Sequence, residues 1–194
     1  MTDPMALVTD SALGLAAWLL AARLWRVERM WALAFVFTGV AAFCGGVFHG
    51  FGDEWRLLWK ATTFSVGLAS FFLLAGTDRR LQLVAVVKLI VYLSWMTGHD
   101  GFVYVIADYG LALTLTAIFH PAKKWVLGSI GVSILGALVQ QAHLTIHERW
   151  FDDNDLYHVI QIVALWMLYR AADDVSRPGS FTTSATAPRS TPPR

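Results

Sequence analysis

Seven long apolar runs constrain this chain more than any other feature of its sequence. Their bounds are Ala6–Leu24, Trp31–Phe51, Leu57–Gly76, Leu81–Met96, Phe102–Phe119, Trp125–His147 and Leu156–Ala172. Most of them reach the ~20 residues that an α-helix needs to cross a hydrocarbon core ~30 Å thick. Lipid offers no hydrogen-bond partners, so a segment that crosses it must satisfy its own backbone groups. Only α-helices and closed β-barrels do so. The runs therefore predict an all-α integral membrane protein built as a seven-transmembrane-helix bundle.

The composition agrees with a membrane domain that fills residues 1–175. The chain is 56% hydrophobic and 15% charged, whereas soluble domains carry about a quarter charged residues. Residues 176–194 differ, because they are rich in proline, serine and threonine, and they predict a disordered cytoplasmic tail. The single cysteine, Cys44, excludes an intramolecular disulfide. Membrane lipids are the predicted partners, and no nucleic-acid motif is present.

The charges of the connecting loops predict an orientation. Basic residues follow the first, third and fifth runs, namely Arg23, Arg26, Arg29, Arg79, Arg80, Lys123 and Lys124. The alternate connections are mostly acidic, with Asp53, Glu54, Asp100, Glu148, Asp152, Asp153 and Asp155. Because basic loops stay in the cytoplasm, the amino terminus is predicted outside and the carboxyl terminus inside. We expect a multi-pass protein of a bacterial-type inner membrane.

This orientation brings five of the six histidines to the outer side, namely His49, His99, His143, His147 and His158. His143 and His147 are four residues apart, and Asp155 and His158 are three apart, so each pair is predicted to share a helical face. Imidazole nitrogens and carboxylate oxygens suit zinc or iron. The pattern therefore predicts a metal site formed by His49, His143, His147 and His158.

Structural roles compete with these functional ones. Asp152 and Asp153 are typical of a solvated outer loop, and Asn154 or Asp155 is suited to capping the seventh helix. His99 is typical of a polar anchor at the membrane interface. Lys88 lies near mid-membrane and is predicted to pair with Asp108 on the next helix, either as a structural ion pair or as a proton relay.

The layout resembles the superfamily of alkaline ceramidases and adiponectin receptors (CREST). The shared features are seven helices, an outer amino terminus, a histidine that closes the second helix within Gly45–His49, and a histidine, His158, that opens the last. The sequence departs from the family motif at three places. A glycine stands where the family has serine before His49, Ile162 replaces the second histidine of the last helix, and Asp53 precedes the third helix instead of lying on it. The resemblance implies zinc bound within the bundle.

Three functions follow as hypotheses. The first is a zinc-dependent hydrolase of a lipid ester or amide at the outer membrane–water boundary, with Asp53, Asp155 or Glu148 as general base. The second is a haem-binding redox subunit, with His49 and His143 as axial ligands. The third is a non-enzymatic transporter, receptor or assembly subunit that uses Lys88 and Asp108.

Overall fold

The structure, a computed structural model, describes residues 3–52, 55–147 and 151–176. Within these ranges the chain forms seven α-helices and no β-strand, namely α1 (Pro4–Leu24), α2 (Arg29–Phe51), α3 (Arg56–Thr77), α4 (Gln82–Gly98), α5 (Phe102–Phe119), α6 (Lys123–Gln141) and α7 (Asp153–Ser176). A short 3-10 helix, Arg79–Leu81, leads into α4. The predicted all-α helical bundle is thereby confirmed. The predicted tail lies outside the described residues from position 177 onward.

Five of the helices are long and apolar enough to cross a membrane: α1, α2, α3, α5, and α4 together with its 3-10 helix. The remaining two, α6 and α7, contain 19 and 24 residues. Glycine, serine and glutamine dilute the apolar character of α6, and acidic residues lie near both ends of α7. The count of seven spans and the orientation therefore stay predictions.

The helices form a closed ring with one helix outside it. Going round the ring, α1 packs on α2, α2 on α3, α3 on α5, α5 on α6, α6 on α7 and α7 on α1. The fourth helix, α4, packs mainly on α3 at the outside. The largest apolar core lies inside the ring and includes Leu20 of α1, Trp31 and Phe35 of α2, Leu73 of α3 and Leu168 of α7. This arrangement brings the start of α1 against the end of α2 and the start of α7.

Two glycines of α2 allow α1 to approach closely. A Cβ atom added at Gly39 would lie 2.3 Å from Nε1 of Trp18, and one added at Gly46 would lie 2.7 Å from Cβ of Asp10. Small residues permit this kind of backbone approach between helices in lipid. The missing side chain of Gly46 therefore leaves the space that Asp10 occupies.

We predict that Gly46→Ala lowers the free energy of unfolding by about 1–3 kcal/mol, because the added methyl group overpacks the contact with Asp10. The matched control is Gly131→Ala on α6, where an added Cβ meets no atom within 4 Å. That variant is expected to be neutral or stabilising by up to about 1 kcal/mol. Unfolding of both variants in micelles checks the pair, and equal stabilities would contradict the packing.

Three contacts join α6 and α7 into a hairpin. Ser133 Oγ lies 3.1 Å from Gln161 Oε1 and donates to it, and Gln140 Nε2 donates to Asn154 Oδ1 at 3.0 Å. At the far end the Arg170 guanidinium lies 4.8 Å from the centre of the Trp125 ring. The two helices are thus connected at both ends and in the middle.

The prediction that His143 and His147 share a helical face is wrong. Helix α6 ends at Gln141, and His143 has a φ of 50°, the left-handed conformation that often follows a helix. Beyond it, His147 N–H donates to Phe151 O at 3.0 Å and Phe151 N–H donates to His147 O at 2.9 Å. The helix formed by the sixth apolar run therefore ends six residues before His147. In a loop, two residues four apart do not project from one face.

His120 lies at the opposite end of the bundle from the other histidines, as predicted. It caps α5, is 5% exposed and packs against Trp31, with ring centres 4.9 Å apart. Burial lowers the pKa of His120 from 6.5 to about 4. The folded protein thus favours the neutral imidazole.

We predict that His120 makes the fold less stable in acid. The contribution of neutral His120 to the free energy of unfolding is complete above pH 6.5 and is lost as pH falls toward 4. The reason is that the unfolded chain takes up the proton first. The whole loss is about 3 kcal/mol. Unfolding at pH 7 and pH 5 checks this, with about 2 kcal/mol of the difference assigned to this residue. His120→Phe keeps a ring against Trp31 and cannot titrate, so it should remove that part of the difference. An unchanged difference would contradict the assignment.

Candidate functional site

Four polar side chains meet where the start of α1 packs on the start of α7. Thr9 and Asp10 come from α1, and Asp155 and His158 come from α7. Their exposed fractions lie between 1% and 8%. We call this set the α1–α7 cluster. Burial of four polar groups in an apolar bundle is costly unless they satisfy one another.

Hydrogen bonds join the cluster in a line. Thr9 Oγ1 lies 2.8 Å from Asp155 Oδ1 and 3.3 Å from His158 Nδ1, and His158 Nε2 lies 3.2 Å from Asp10 Oδ1. A hydroxyl has one proton, and the shortest contact assigns it to Asp155. Thr9 then accepts from His158 Nδ1–H. In the neutral imidazole this leaves Nε2 as an acceptor that faces the Asp10 carboxyl group.

In this tautomer two acceptors face each other at 3.2 Å and a cation satisfies both of them, whereas in the other tautomer Nε2–H donates to Asp10 Oδ1 directly. A proton satisfies the pair, either on Asp10 or on His158. A metal ion satisfies it too. The second oxygen of Asp10, Oδ2, is buried and has no hydrogen-bond partner among the described residues. The Asp10–His158 contact is therefore the part of the cluster with unused binding capacity.

His49 approaches the same place from α2. It lies one turn after Gly46, whose missing side chain accommodates Asp10. His158 lies against Asp10 as well. The two histidines thus lie at the same end of the bundle, and a site that they share stays a prediction.

Asp155 belongs to the cluster, and a different residue caps α7. Asp152 Oδ1 accepts from the backbone N–H groups of Asn154 at 2.9 Å and of Asp155 at 3.0 Å. Asp155 Oδ2 accepts in return from Asp152 N–H at 3.2 Å. This reciprocal pair resembles a capping box. It leaves Asp155 Oδ1 for Thr9 and explains how Asp155 and His158 come to share a helical face.

The other predicted ligands lie elsewhere. The His143 side chain is 80% exposed and lies 3.2 Å from Asp153 Oδ2, and the His147 backbone bonds to Phe151 in the loop. His99 stacks on Trp95 with ring centres 4.0 Å apart, which fits its predicted role as an interfacial anchor. Asp53 and Glu148 lie outside the described residues. Within the part of the chain that the structure describes, no three His, Cys, Asp or Glu side chains stand close enough to hold a metal without movement.

At the same end of the bundle, between α4 and α5, Asp100 forms a surface ion network. Its carboxylate pairs with Lys60 and lies 2.7 Å from Arg56. Hydrogen bonds from Lys60 and then Arg56 hold the pKa of Asp100 below its usual value. Lys60 also donates to the carbonyls of Met96 and His99 at the end of α4. This network caps α4 and ties α3 to the loop before α5.

The predicted pair of Lys88 and Asp108 is confirmed. Lys88 Nζ lies 2.6 Å from Asp108 Oδ1 and 2.6 Å from Ser70 Oγ. The two side chains are 9% and 6% exposed. A relay role for the pair stays a prediction.

Sequence reasoning missed Thr9 and Asp10. One signal was available, because Asp10 is an acidic residue inside an apolar run, and ionisable residues at membrane depth are functional candidates by default. Its partner Asp155 lies far away in sequence, and only packing joins them.

The fold and the cluster define an all-helical bundle with several helices suited to a membrane and a buried carboxyl–imidazole site at one end. The chain belongs to the DUF6962 family, a family of unknown function, which matches residues 5–177. No curated protein and no solved structure matches the chain.

We predict that Lys88→Met lowers the free energy of unfolding by about 3–5 kcal/mol, since it leaves the Asp108 carboxylate buried without its cation. The double variant Lys88→Met with Asp108→Leu removes both charges and should recover most of that loss. Unfolding in micelles measures both. A double variant as unstable as the single one would show that the pair itself is not the cause.

Proposed function

We propose that this protein is a metal-dependent membrane hydrolase that cleaves a lipid ester or amide. In this proposal zinc is held by Asp10, His49 and His158, and all seven helices cross a bacterial-type inner membrane. The single observation that carries it is the contact between His158 Nε2 and Asp10 Oδ1 at 3.2 Å. This ligand set differs from the one that the sequence predicts. His143 and His147 are left out because they lie on a loop, and Asp10 is added because it contacts His158.

The spacing of the two groups suits a tetrahedral metal. Bonds of about 2.0–2.1 Å from zinc to nitrogen and oxygen place neighbouring ligand atoms about 3.3 Å apart. The observed 3.2 Å is close to that value. Oδ2 of Asp10 offers a second oxygen without a partner among the described residues. The donor types and their separation therefore fit zinc, with His49 moving in as the third ligand.

Thr9 and Asp155 act as positioning residues in this scheme. Metal-binding histidines usually donate their other ring N–H to an oxygen, which determines the tautomer and the ring orientation. Thr9 Oγ1 lies 3.3 Å from His158 Nδ1, and Asp155 fixes Thr9 at 2.8 Å. Asp155 thus serves His158 through Thr9, instead of acting as the general base that the sequence predicted.

Zinc held by these residues would lower the pKa of a bound water to about 7 and would polarise a carbonyl group. The chain orients this centre and excludes bulk water from it, because the four cluster residues are buried. A general base would complete the reaction, and Asp53 and Glu148, which precede α3 and α7 in the sequence, stay the candidates for that role. The basic loops at the opposite helix ends support an outer location for the site.

We predict that the purified protein holds about one zinc per chain and that Asp10→Asn and His158→Ala each lower its metal affinity by at least 100-fold. Elemental analysis after dialysis against zinc measures this. His143→Ala is the matched control, since that histidine is exposed and should leave the metal content unchanged. A folded wild type without zinc or iron contradicts the proposal. A Soret band in the same preparation would indicate haem instead.

A further test addresses the positioning role. Thr9→Val removes the hydroxyl group and keeps the shape of the side chain. We expect it to lower metal affinity by about 10–100-fold, as loss of an outer-shell partner does. Thr9→Ser keeps the hydroxyl group and should restore binding. Equal affinities in the two variants would show that the hydroxyl group does not act through His158.

A further inference from the structure

An arginine held between two tryptophans lies at the end of the α6–α7 hairpin that is opposite the α1–α7 cluster. The guanidinium carbon of Arg170 lies 4.8 Å from the centre of the Trp125 ring and 5.5 Å from that of Trp166. The two indoles meet edge to face, with ring centres 5.7 Å apart. Guanidinium groups stack on aromatic faces through cation–π attraction, which does not use their N–H donors. The two rings therefore fix the position of Arg170 and leave its donors unpaired.

The nitrogens of Arg170 differ in what can reach them. Nε is buried and has no hydrogen-bond partner among the described residues. Unlike Nε, the two terminal nitrogens are accessible at the surface of this half-buried residue, and no described oxygen accepts from them. A guanidinium carries five N–H donors in a planar fork and has no means of losing its charge. An anion that arrives from outside the protein therefore finds a fixed cation with accessible donors.

A second cation lies beside the Trp125 ring. Lys124 Nζ lies 5.6 Å from the centre of that ring, and the side chain is 75% exposed. The carboxylate with which it pairs, that of Asp174, lies 4.0 Å away, which is beyond hydrogen-bond distance. Asp174 thus neutralises Lys124 only loosely. One anionic group beside Trp125 would attract both Lys124 and Arg170.

A stripe of apolar side chains leads along α7 to Arg170. Val159, Val163, Trp166 and Arg170 follow one another at intervals of four, three and four residues, so they share one helical face. The three apolar members are between 42% and 49% exposed. An exposed apolar stripe that ends at a cation matches the two parts of a phospholipid, its acyl chain and its phosphate group. A soluble anion would use the cation and leave the stripe uncovered.

We propose that Arg170 and Lys124 bind the phosphate group of an anionic phospholipid, whose acyl chain lies along the stripe on α7. The terminal nitrogens of Arg170 donate to the phosphate oxygens, since the planar guanidinium matches their geometry. Lys124 adds a second positive charge, which favours a headgroup that carries no cation of its own. Basic pockets between helices at a membrane surface bind anionic headgroups. The site rests on the proposed membrane location of the α6–α7 hairpin and does not require the zinc centre.

The test compares phosphatidylglycerol with phosphatidylcholine of the same acyl chains. The full-length protein is heated in dodecyl maltoside micelles that contain increasing mole fractions of either lipid, and the rise in Tm reports binding. We expect half-saturation at a mole fraction about fivefold lower for phosphatidylglycerol, which is the effect of about one charge at a membrane surface. Equal curves for the two lipids would overturn the proposal. Inorganic phosphate should leave Tm unchanged, and a rise as large as that with phosphatidylglycerol would indicate an ion site instead.

Two arginine variants locate the effect. Arg170→Met removes the guanidinium group and keeps an unbranched side chain, and it should weaken binding of phosphatidylglycerol by about tenfold or more. Arg80→Met is the matched control, because Arg80 is an exposed arginine at the same end of the bundle, before α4. It removes the same charge and should leave binding unchanged. Equal losses in the two variants would show a general attraction to the basic end and refute the site.

Arg170 also joins α6 to α7, so a further variant leaves that packing intact. Lys124→Met removes an ammonium group whose side chain is mostly exposed. We expect it to fold like the wild type and to weaken binding of phosphatidylglycerol about fivefold. Binding of phosphatidylcholine should not weaken. A Lys124→Met protein that binds phosphatidylglycerol as tightly as the wild type would contradict the shared phosphate site.

Discussion

The need to satisfy buried polar atoms without help from water governs this structure. In a bundle with apolar outer surfaces, a buried carboxyl group or imidazole has few neighbours that can form a hydrogen bond with it. If such a group loses its one partner, the folded state is destabilised by several kcal/mol. The protein meets this constraint by grouping its buried ionisable residues. Lys88 pairs with Asp108, and Asp10 pairs with His158. In each group one carboxyl oxygen is left over, Oδ2 of Asp108 and Oδ2 of Asp10.

The two leftover oxygens differ in what surrounds them. Next to Asp10 stand an imidazole nitrogen and a threonine, which are groups that orient a cation. Next to Asp108 stand the ammonium group of Lys88 and, beyond it, the hydroxyl group of Ser70. The same chemical group thus has two different roles because its neighbours differ. Charge balance makes the distinction, since Asp108 already has its cation in Lys88.

The sequence predicted the helices well, because their length and apolar character are local properties. It predicted the pairing of Lys88 with Asp108, since adjacent helices and a mid-membrane charge leave few alternatives. It also placed Asp155 and His158 on one face of α7. It was wrong about His143 and His147, because the end of a helix depends on where the chain turns, and no glycine or proline marks that turn. The sequence did not indicate a role for Asp10, since the role of a single acidic residue depends on its partner, and that partner lies on a helix far along the chain.

The origin of the cluster in the two terminal helices bears on how the protein is made. Thr9 and Asp155 are 146 residues apart, and Thr9 and His158 are 149 apart. The acid of the first helix is therefore made long before the residues that pair with it. The hairpin of α6 and α7 then delivers both of them together, because Gln140, Ser133 and Arg170 bind its helices to each other. The centre therefore cannot assemble before α6 and α7 have been made, and a chain that stops before α7 leaves Asp10 without His158.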